Sequence, residues 1–302
     1  MNEKPRPAAG SLIERAAEAY DFAGLMRGKG EPAPIIEAEP TLPPTPAEIV
    51  VSRQFAGEVI SIDRQHLRDQ GLIVPGAPPS ALSEEFRMVK RQLLLTAQGS
   101  GANPPAERGQ LILVCSAHAN EGKTFSAVNL ALSMASETDI EVLLVDADVA
   151  KPEVLSTLGL PGNAGLMDAL ADPSIDVESL ILHTDVPNLN VLPAGRQSNN
   201  DTELLASART GALIDRLTEG RPNRIVLFDS APALAASPAS VLALHVGQVL
   251  LVVRADQTGE GELRETLAMI DACPEIRLML NAVSYRGSNR RFGSYYGFGD
   301  WS

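Results

Sequence analysis

Cysteine and aromatic residues are scarce in this 302-residue chain: two cysteines, one tryptophan, four tyrosines and seven phenylalanines. Two thiols, Cys115 and Cys273, make no disulfide framework. Each lies in or near an apolar run, the pattern of buried thiols in a reducing cytosol. Positive charge is also short. Against 38 Asp and Glu stand 25 Lys and Arg, a net charge of -13, which argues against nucleic-acid binding. The start, MNEKPRPAAG, has no apolar core, so no secretory signal is expected. Long hydrophobic runs are missing as well. Residues 231–253 carry no formal charge and are long enough for a bilayer, but Pro232, Ser237, Pro238, Ser240, His245, Gly247 and Gln248 interrupt them. A short helix followed by the strand QVLLVV accounts for that stretch better than a membrane span.

What is present is an ordinary globular balance, 44% hydrophobic and 21% charged, in a length that holds one large domain or two small ones. Residues 1–55 are proline-dense (EPAPIIEAEPTLPPTP) with little apolar periodicity, so a mostly disordered segment is expected. Within it SLIERAAEAYDFAGLM has helical spacing, either a docking helix for a partner or a weakly helical tail. Residues 56–80 mix short apolar runs with IVPGAPP and are expected along the domain surface. The expected domain runs over 56–285, with a flexible tyrosine-bearing tail at 286–302.

The chain is organised around LILVCSAHANEGKT, residues 111–124. A run of branched apolar residues predicts a buried strand; Gly122, Lys123 and Thr124 follow, and FSAVNLALSMAS continues as an amphipathic helix. Strand, loop, Gly-Lys-Thr and helix make the phosphate-binding P-loop context. Loop amides and the helix N-terminus point unpaired N–H groups at an anion, Lys123 reaches the β/γ-phosphates, and the Thr124 hydroxyl ligates Mg²⁺. The usual pattern asks for Gly where Ala117 stands.

Two further apolar runs end in carboxylates. IEVLLVDADVAKP places Asp146 and Asp148 on one side of an extended chain, at the strand end where open α/β sheets bind ligands. Carboxylates there either hold the metal, directly or through water, or accept a proton from an attacking hydroxyl. RIVLFDSAP ends in Asp229, a Walker B candidate. The segment 152–182 reads as short helices and turns, NLNVLPAG as a strand, and TELLASARTGALIDRLTEG as one amphipathic helix with Thr202 near its start. QVLLVVRA, GELRETLAMIDA and IRLMLNAV complete an alternation that predicts an α/β fold, a mostly parallel sheet covered by helices on both faces. Asn281, ending the last strand, is either a base-reading residue or a turn residue.

Before the P-loop, helical spacing becomes firm at Ser83, an N-cap candidate. SEEFRMVKRQLLLTA follows, with Phe86, Val89, Leu93 and Leu94 as a buried stripe. Glu84, Arg87 and Lys90 share a face, either a solvated charge stripe or a subunit contact. At the far end SYRGSNRRFGSYYGFGDWS is rich in Gly, Ser and aromatics and locally basic through Arg286, Arg290 and Arg291. It holds Tyr285, Tyr295 and Tyr296. Such a tail either enters a neighbour's acidic site or is an unstructured terminus.

Over about residues 60–302 the chain resembles the bacterial tyrosine autokinases of exopolysaccharide synthesis, the BY-kinases, and looks most like the branch associated with exosortase A systems. The resemblance implies a P-loop NTPase fold of the MinD/ParA-like type, with Asn120, Glu121, Gly122, Lys123, Thr124, Phe125 and Asp229 at ATP, and Thr124, Asp148 and Asp229 at Mg²⁺. Lys123, Asp146 and Asp148 are then catalytic, Asp146 being the candidate base. Tyr295, Tyr296 and Tyr285 become phosphate acceptors modified by a neighbouring subunit. Glu84, Arg87 and Lys90 match the family's E-x-x-R-x-x-R with lysine last, which implies a ring-like homo-oligomer. The implied partners are an inner-membrane polysaccharide chain-length regulator, whose cytoplasmic tail activates the kinase, and a phosphotyrosine phosphatase. The implied location is cytoplasmic and peripheral to the inner membrane through that regulator. Three departures stand out: Ala119 and Asn120 replace Pro and Gly in the loop, Ala150 stands where Arg is common, and the tyrosine cluster is thin. Ala119 and Asn120 motivate one alternative, a weak or inactive nucleotide-binding regulatory subunit. A partitioning-type ATPase is the other; its signature loop lysine is His118 here.

Overall fold

The computed structural model describes residues 59–283 apart from Ala102 and Asn163. The expectations for residues 1–55, and for Tyr285, Tyr295 and Tyr296, lie outside the described residues. Eighteen elements follow in order: β1 (Val59–Ile60), α1 (Arg64–Asp69), α2 (Ala81–Gln98), β2 (Leu111–Ser116), α3 (Lys123–Met134), β3 (Glu141–Ala147), α4 (Val154–Leu158), α5 (Leu166–Ala171), a 3-10 turn (Val177–Leu180), β4 (Leu182–Thr184), β5 (Leu189–Leu192), α6 (Asp201–Leu205), α7 (Ala208–Thr218), β6 (Arg224–Ser230), α8 (Pro238–Ala243), β7 (Gln248–Arg254), α9 (Glu260–Met269) and β8 (Glu275–Asn281). The strands form one sheet in the order β1-β4-β5-β3-β6-β2-β7-β8. Every neighbouring pair is parallel except β4 with β5.

The central strands are buried along nearly their whole length, as continuous apolar runs demand when helices cover both faces. Side chains alternate between the faces. Leu113, Leu143, Val226 and Phe228 pack with α5, α7 and α8 on one side, while Ile112, Val114, Val142 and Leu144 pack with α2 and α3 on the other. Asp146 and Asp229 are register partners on β3 and β6, so the pairing itself brings the two strand-end carboxylates side by side.

The structure corrects four local expectations. Residues 56–80 are not merely draped on the surface: β1 extends the sheet, and Ile62, Leu67 and Leu72 are buried. The N-cap of α2 is Ser80, not Ser83. Ser83 occupies the third helical position, and the two serines exchange side-chain-to-backbone bonds of 2.8 and 3.1 Å. The helix expected from Thr202 is two helices, α6 and α7. The Ser207 hydroxyl donates back to the Leu204 carbonyl (2.6 Å) with Thr210 at 3.2 Å, an alternative to the helical ladder that small hydroxyl side chains offer. Lys90 does not share the exposed face of Glu84 and Arg87. It is buried, donating to the Ser133 carbonyl (3.0 Å) and pairing with Glu137 (2.5 Å), because four methylenes let an ammonium reach across to the open C-terminal carbonyls of α3. Among the described residues no helix is long and apolar enough to cross a membrane.

Candidate functional site

The loop between β2 and α3 curls over the C-terminal edge of the sheet. Gly122 at the N-cap of α3 has φ +95° and no side-chain cap, so the first amides of the helix are left for an anion. A Cβ at Gly122 would collide with the Asn281 amide. Asn120 takes φ +64°, a left-handed conformation that asparagine tolerates better than most residues, so the replacement of glycine is absorbed. Ala117 is not in the left-handed region, and its methyl strains nothing.

The loop is braced from β7 and β8 by residues that the sequence motifs did not single out for this work. Arg254 Nη1 donates to the Asn120 carbonyl at 2.7 Å, and Asn281 Nδ2 to the Glu121 carbonyl at 2.8 Å. Asn281 thus acts on the loop's backbone. The Glu121 side chain turns inward, accepting from the His118 amide (2.9 Å) and from the Thr258 hydroxyl, so it points away from the loop's outer surface. His118 pairs with Glu262 at 3.0 Å. Only the strand-end position of Asn281 was a sequence signal; Arg254 ends β7 and Thr258 lies in the connection after it, with no motif to mark them.

Four charged groups converge under the loop. Lys123 Nζ lies 2.7 Å from Asp148 Oδ2 and 3.3 Å from the Thr124 hydroxyl. Burial alone would lower the Lys123 pKa; Asp229 and Asp148 more than offset it and the pKa is raised. Asp146 accepts from the Val154 amide (3.0 Å) and the Asp148 amide (3.3 Å). Burial, with Asp229 adding to it, pushes the Asp146 carboxyl up to about 7. Asp229 is pushed to about 6 by burial against the opposing pull of Lys123 and the nearby Thr124 hydroxyl, and neither of its oxygens has a partner in hydrogen-bond geometry. A buried carboxylate with two orphaned oxygens, beside a threonine hydroxyl and Asp148, is a donor set that fits a divalent cation.

A cavity of about 380 Å³ opens from Lys123 and Thr124 toward α4, with Phe125 in its wall. A second, of about 400 Å³, lies between the ends of β3 and β5 and is lined by Val149, Ala150 and residues near 197–202. The structure therefore brings Asn120, Gly122, Lys123, Thr124, Asp148 and Asp229 together, with Asp146 beneath them. Glu84 and Arg87 form a surface pair (2.9 Å) on α2.

A model of the AAA domain matches residues 109–280, more than half of the chain. EpsB of Ralstonia nicotianae is 32% identical over 234 residues, which cover 77% of this chain and 30% of that protein; the chain thus spans about a third of the length of this relative. YwqD of Bacillus subtilis, a tyrosine-protein kinase by name, is 26% identical over 76% of this chain and 93% of its own. The crystal structure of the chimerical protein CapA2B2 superposes with a TM-score of 0.58 at 27% identity, covering 73% of this chain and 92% of that one.

Proposed function

The chain belongs to the AAA-domain family, and from that premise we propose that it is an ATP-dependent protein-tyrosine kinase of exopolysaccharide synthesis, acting on its own C-terminal tyrosines. The observation that carries the reading is the convergence of Lys123, Thr124, Asp148 and the orphaned Asp229 carboxylate beneath a loop whose helix N-terminus is uncapped. The kinase names of relatives such as YwqD support it.

In this reading the loop amides and Lys123 hold the β- and γ-phosphates, and Thr124, Asp148 and Asp229 hold Mg²⁺, which would neutralise charge on the transferring group. A tyrosine Oη attacks the γ-phosphorus. The new O–P bond forms as the bond to the β,γ-bridging oxygen breaks, and ADP leaves with that electron pair. A tyrosine hydroxyl has an ordinary pKa of about 10, so its proton needs a carboxylate. Asp146 is the proposed base: its carboxyl, pushed up to about 7, is better matched to that task than an ordinary one. Its amide bonds leave lone pairs free, since a carboxylate offers about four sites.

Oligomerisation into a ring, activation by the cytoplasmic tail of an inner-membrane chain-length regulator, reset by a phosphotyrosine phosphatase, a peripheral cytoplasmic location and membership of the exosortase A-associated branch belong to the same proposal. Glu84 and Arg87 are its contact residues, Lys90 being engaged within the subunit. The test is phosphopeptide and intact-mass analysis of phosphatase-treated protein incubated with ATP and Mg²⁺. Phosphate on Tyr285, Tyr295 or Tyr296 that vanishes in Lys123→Ala is expected. None in either sample, with the regulator's tail added, sinks the kinase and leaves the regulatory subunit.

A further inference from the structure

We infer that the open edge of β8 is a docking strip for this chain's own C-terminal segment, residues 284–302. β8 is the last strand of the sheet, and among the described residues no strand pairs with its outer side. It is seven residues long, has no proline, and its register with β7 runs unbroken over all seven. That register carries the core out onto the edge: Leu278 lies beside Leu251 and Leu280 beside Val253, both buried on the face that holds α5, α7 and α8. Cover stops there. Leu278 is 54% exposed and Leu280 64%, while Met279, between them, turns to the other face and packs with the α2 and α3 cluster. Arg277, a charge that could guard the edge, is bonded to Thr96 at 2.6 Å. Native sheets protect a long apolar edge by charge, proline, a bulge or a covering segment, because open amides and carbonyls pair with any strand that arrives. Here a covering segment is the device that remains.

Tether, composition and charge select the occupant. Only Ala282 and Val283 separate the segment from the end of β8, and a short tether gives an effective concentration on the order of millimolar. The chain before Val59 enters instead at β1, seven strand spacings or about 34 Å across the sheet. The segment holds six aromatic residues in a chain with only seven phenylalanines, four tyrosines and one tryptophan. Phe292, Tyr296 and Phe298 recur at even spacing, so an extended chain added to the edge sets them on one side, against Leu278 and Leu280. Arg286, Arg290 and Arg291 outnumber the segment's one acid, Asp300, while the elements leading into the strip expose Glu265, Asp271 and Glu275. Docked on β8, the tyrosines stand four strand spacings, about 19 Å, from β3, so docking and phosphorylation exclude each other. That consequence rests on the kinase reading; the docking itself does not.

The one tryptophan of the chain, Trp301, reports on the segment without interference. On the full chain, without nucleotide, its emission maximum and acrylamide quenching are compared with those of a synthetic peptide of residues 284–302. Tryptic cleavage after Arg290 and Arg291 is timed on both. The parent's emission should lie to the blue of the peptide's, with slower quenching. Its cleavage should be at least about tenfold slower, since proteolysis follows the population of the open form. Leu278→Asp and Leu280→Asp should each bring both readings to the peptide's values. Both positions are exposed, so the core is not cut into, and either variant can stand in if the other misfolds. Leu244→Asp, at an equally exposed leucine before β7, should behave as the parent. A parent tail quenched and cut as fast as the peptide overturns the docking. So does protection that survives both aspartates, which would seat the tail elsewhere, or protection that grows with protein concentration, which would give the edge to a second copy. No phosphate transfer enters these readings, so a failed docking leaves the kinase reading standing, and an inactive kinase leaves the docking.

Discussion

Gly122 is the residue at which conformation and packing coincide. Its φ of +95° costs an alanine roughly 1–2 kcal/mol in backbone strain, and the Asn281 amide occupies the space a methyl would need. Gly122→Ala should lower the melting temperature and weaken nucleotide binding. Adding Asn281→Ala should recover part of the melting temperature, because only the collision is relieved. Full recovery would show that the left-handed backbone matters little. Lys123 poses a different problem: its ammonium is the ion-pair partner of Asp148, buried with it. Lys123→Ala therefore removes the proposed phosphate ligand and also strands a buried carboxylate, a loss of about 3–5 kcal/mol when a buried pair is broken. Lys123→Met should be no milder in stability, and calorimetry should show both without measurable ATP affinity.

Helix α2 is tied to α3 by Phe86 and Leu93 in the core and by Lys90 at the C-terminal end of α3. Since α3 begins with Lys123 and Thr124, the helix bearing Glu84 and Arg87 is packed on the one bearing the proposed nucleotide ligands. Hydrogen bonds to charged groups are worth about 1.5–3 kcal/mol, so Lys90→Met should destabilise the fold by an amount in that range, read from denaturant unfolding. It should leave the oligomeric state unchanged. Arg87→Glu should do the converse, shifting assembly in native mass spectrometry while unfolding is within about 0.5 kcal/mol of the parent, as for an exposed site. If Lys90→Met dissociated the oligomer with stability intact, the inward ammonium would not be its role.

Across the whole molecule, the buried carboxylates set a pH dependence. Asp146, at about 7, and Asp229, at about 6, bind protons more tightly folded than unfolded, where 3.8 applies. Between those values the native state holds more protons, so stability falls as pH rises from about 4 to about 7. Asp185, lowered to about 2, has the opposite sign and loses its contribution only below that window. The melting temperature of the nucleotide-free protein should therefore fall from pH 5 to pH 7.5, and Mg²⁺ with ADP should raise it more at pH 7.5 than at pH 5. Asp229→Asn should flatten the slope; an unaltered slope would exclude Asp229 as its source. Chain length bears on the acceptor. Asn281 ends β8, four strand spacings or about 19 Å from β3, while the twelve residues from 284 to 295 extend at most about 40 Å. A chain's own tail can thus reach its own site. Transfer between copies is checked by mixing active protein with Lys123→Ala protein and asking whether phosphate appears on the inactive chain.

The fold was legible because its signals are local. Continuous apolar runs ending in Asp146 and Asp229, alternating with helical spacing, admit few arrangements other than a parallel sheet with carboxylates at one edge. Gly122, Lys123 and Thr124 declare the loop for the same reason: the chemistry needs those types in consecutive positions. The N-cap shift from Ser83 to Ser80 and the break at Ser207 were hidden because several hydroxyl residues compete for the same backbone groups. Tertiary structure alone decided the inward turn of Lys90, since a lysine at a helical repeat is solvated or buried according to which carbonyls another helix leaves open. It alone decided the bracing of the loop by Arg254, Thr258 and Asn281, which lie more than a hundred residues away and carry no motif. Residue types and short spacings therefore announce the ligand edge, while the geometry that holds it comes from contacts between strands that only the folded sheet makes neighbours.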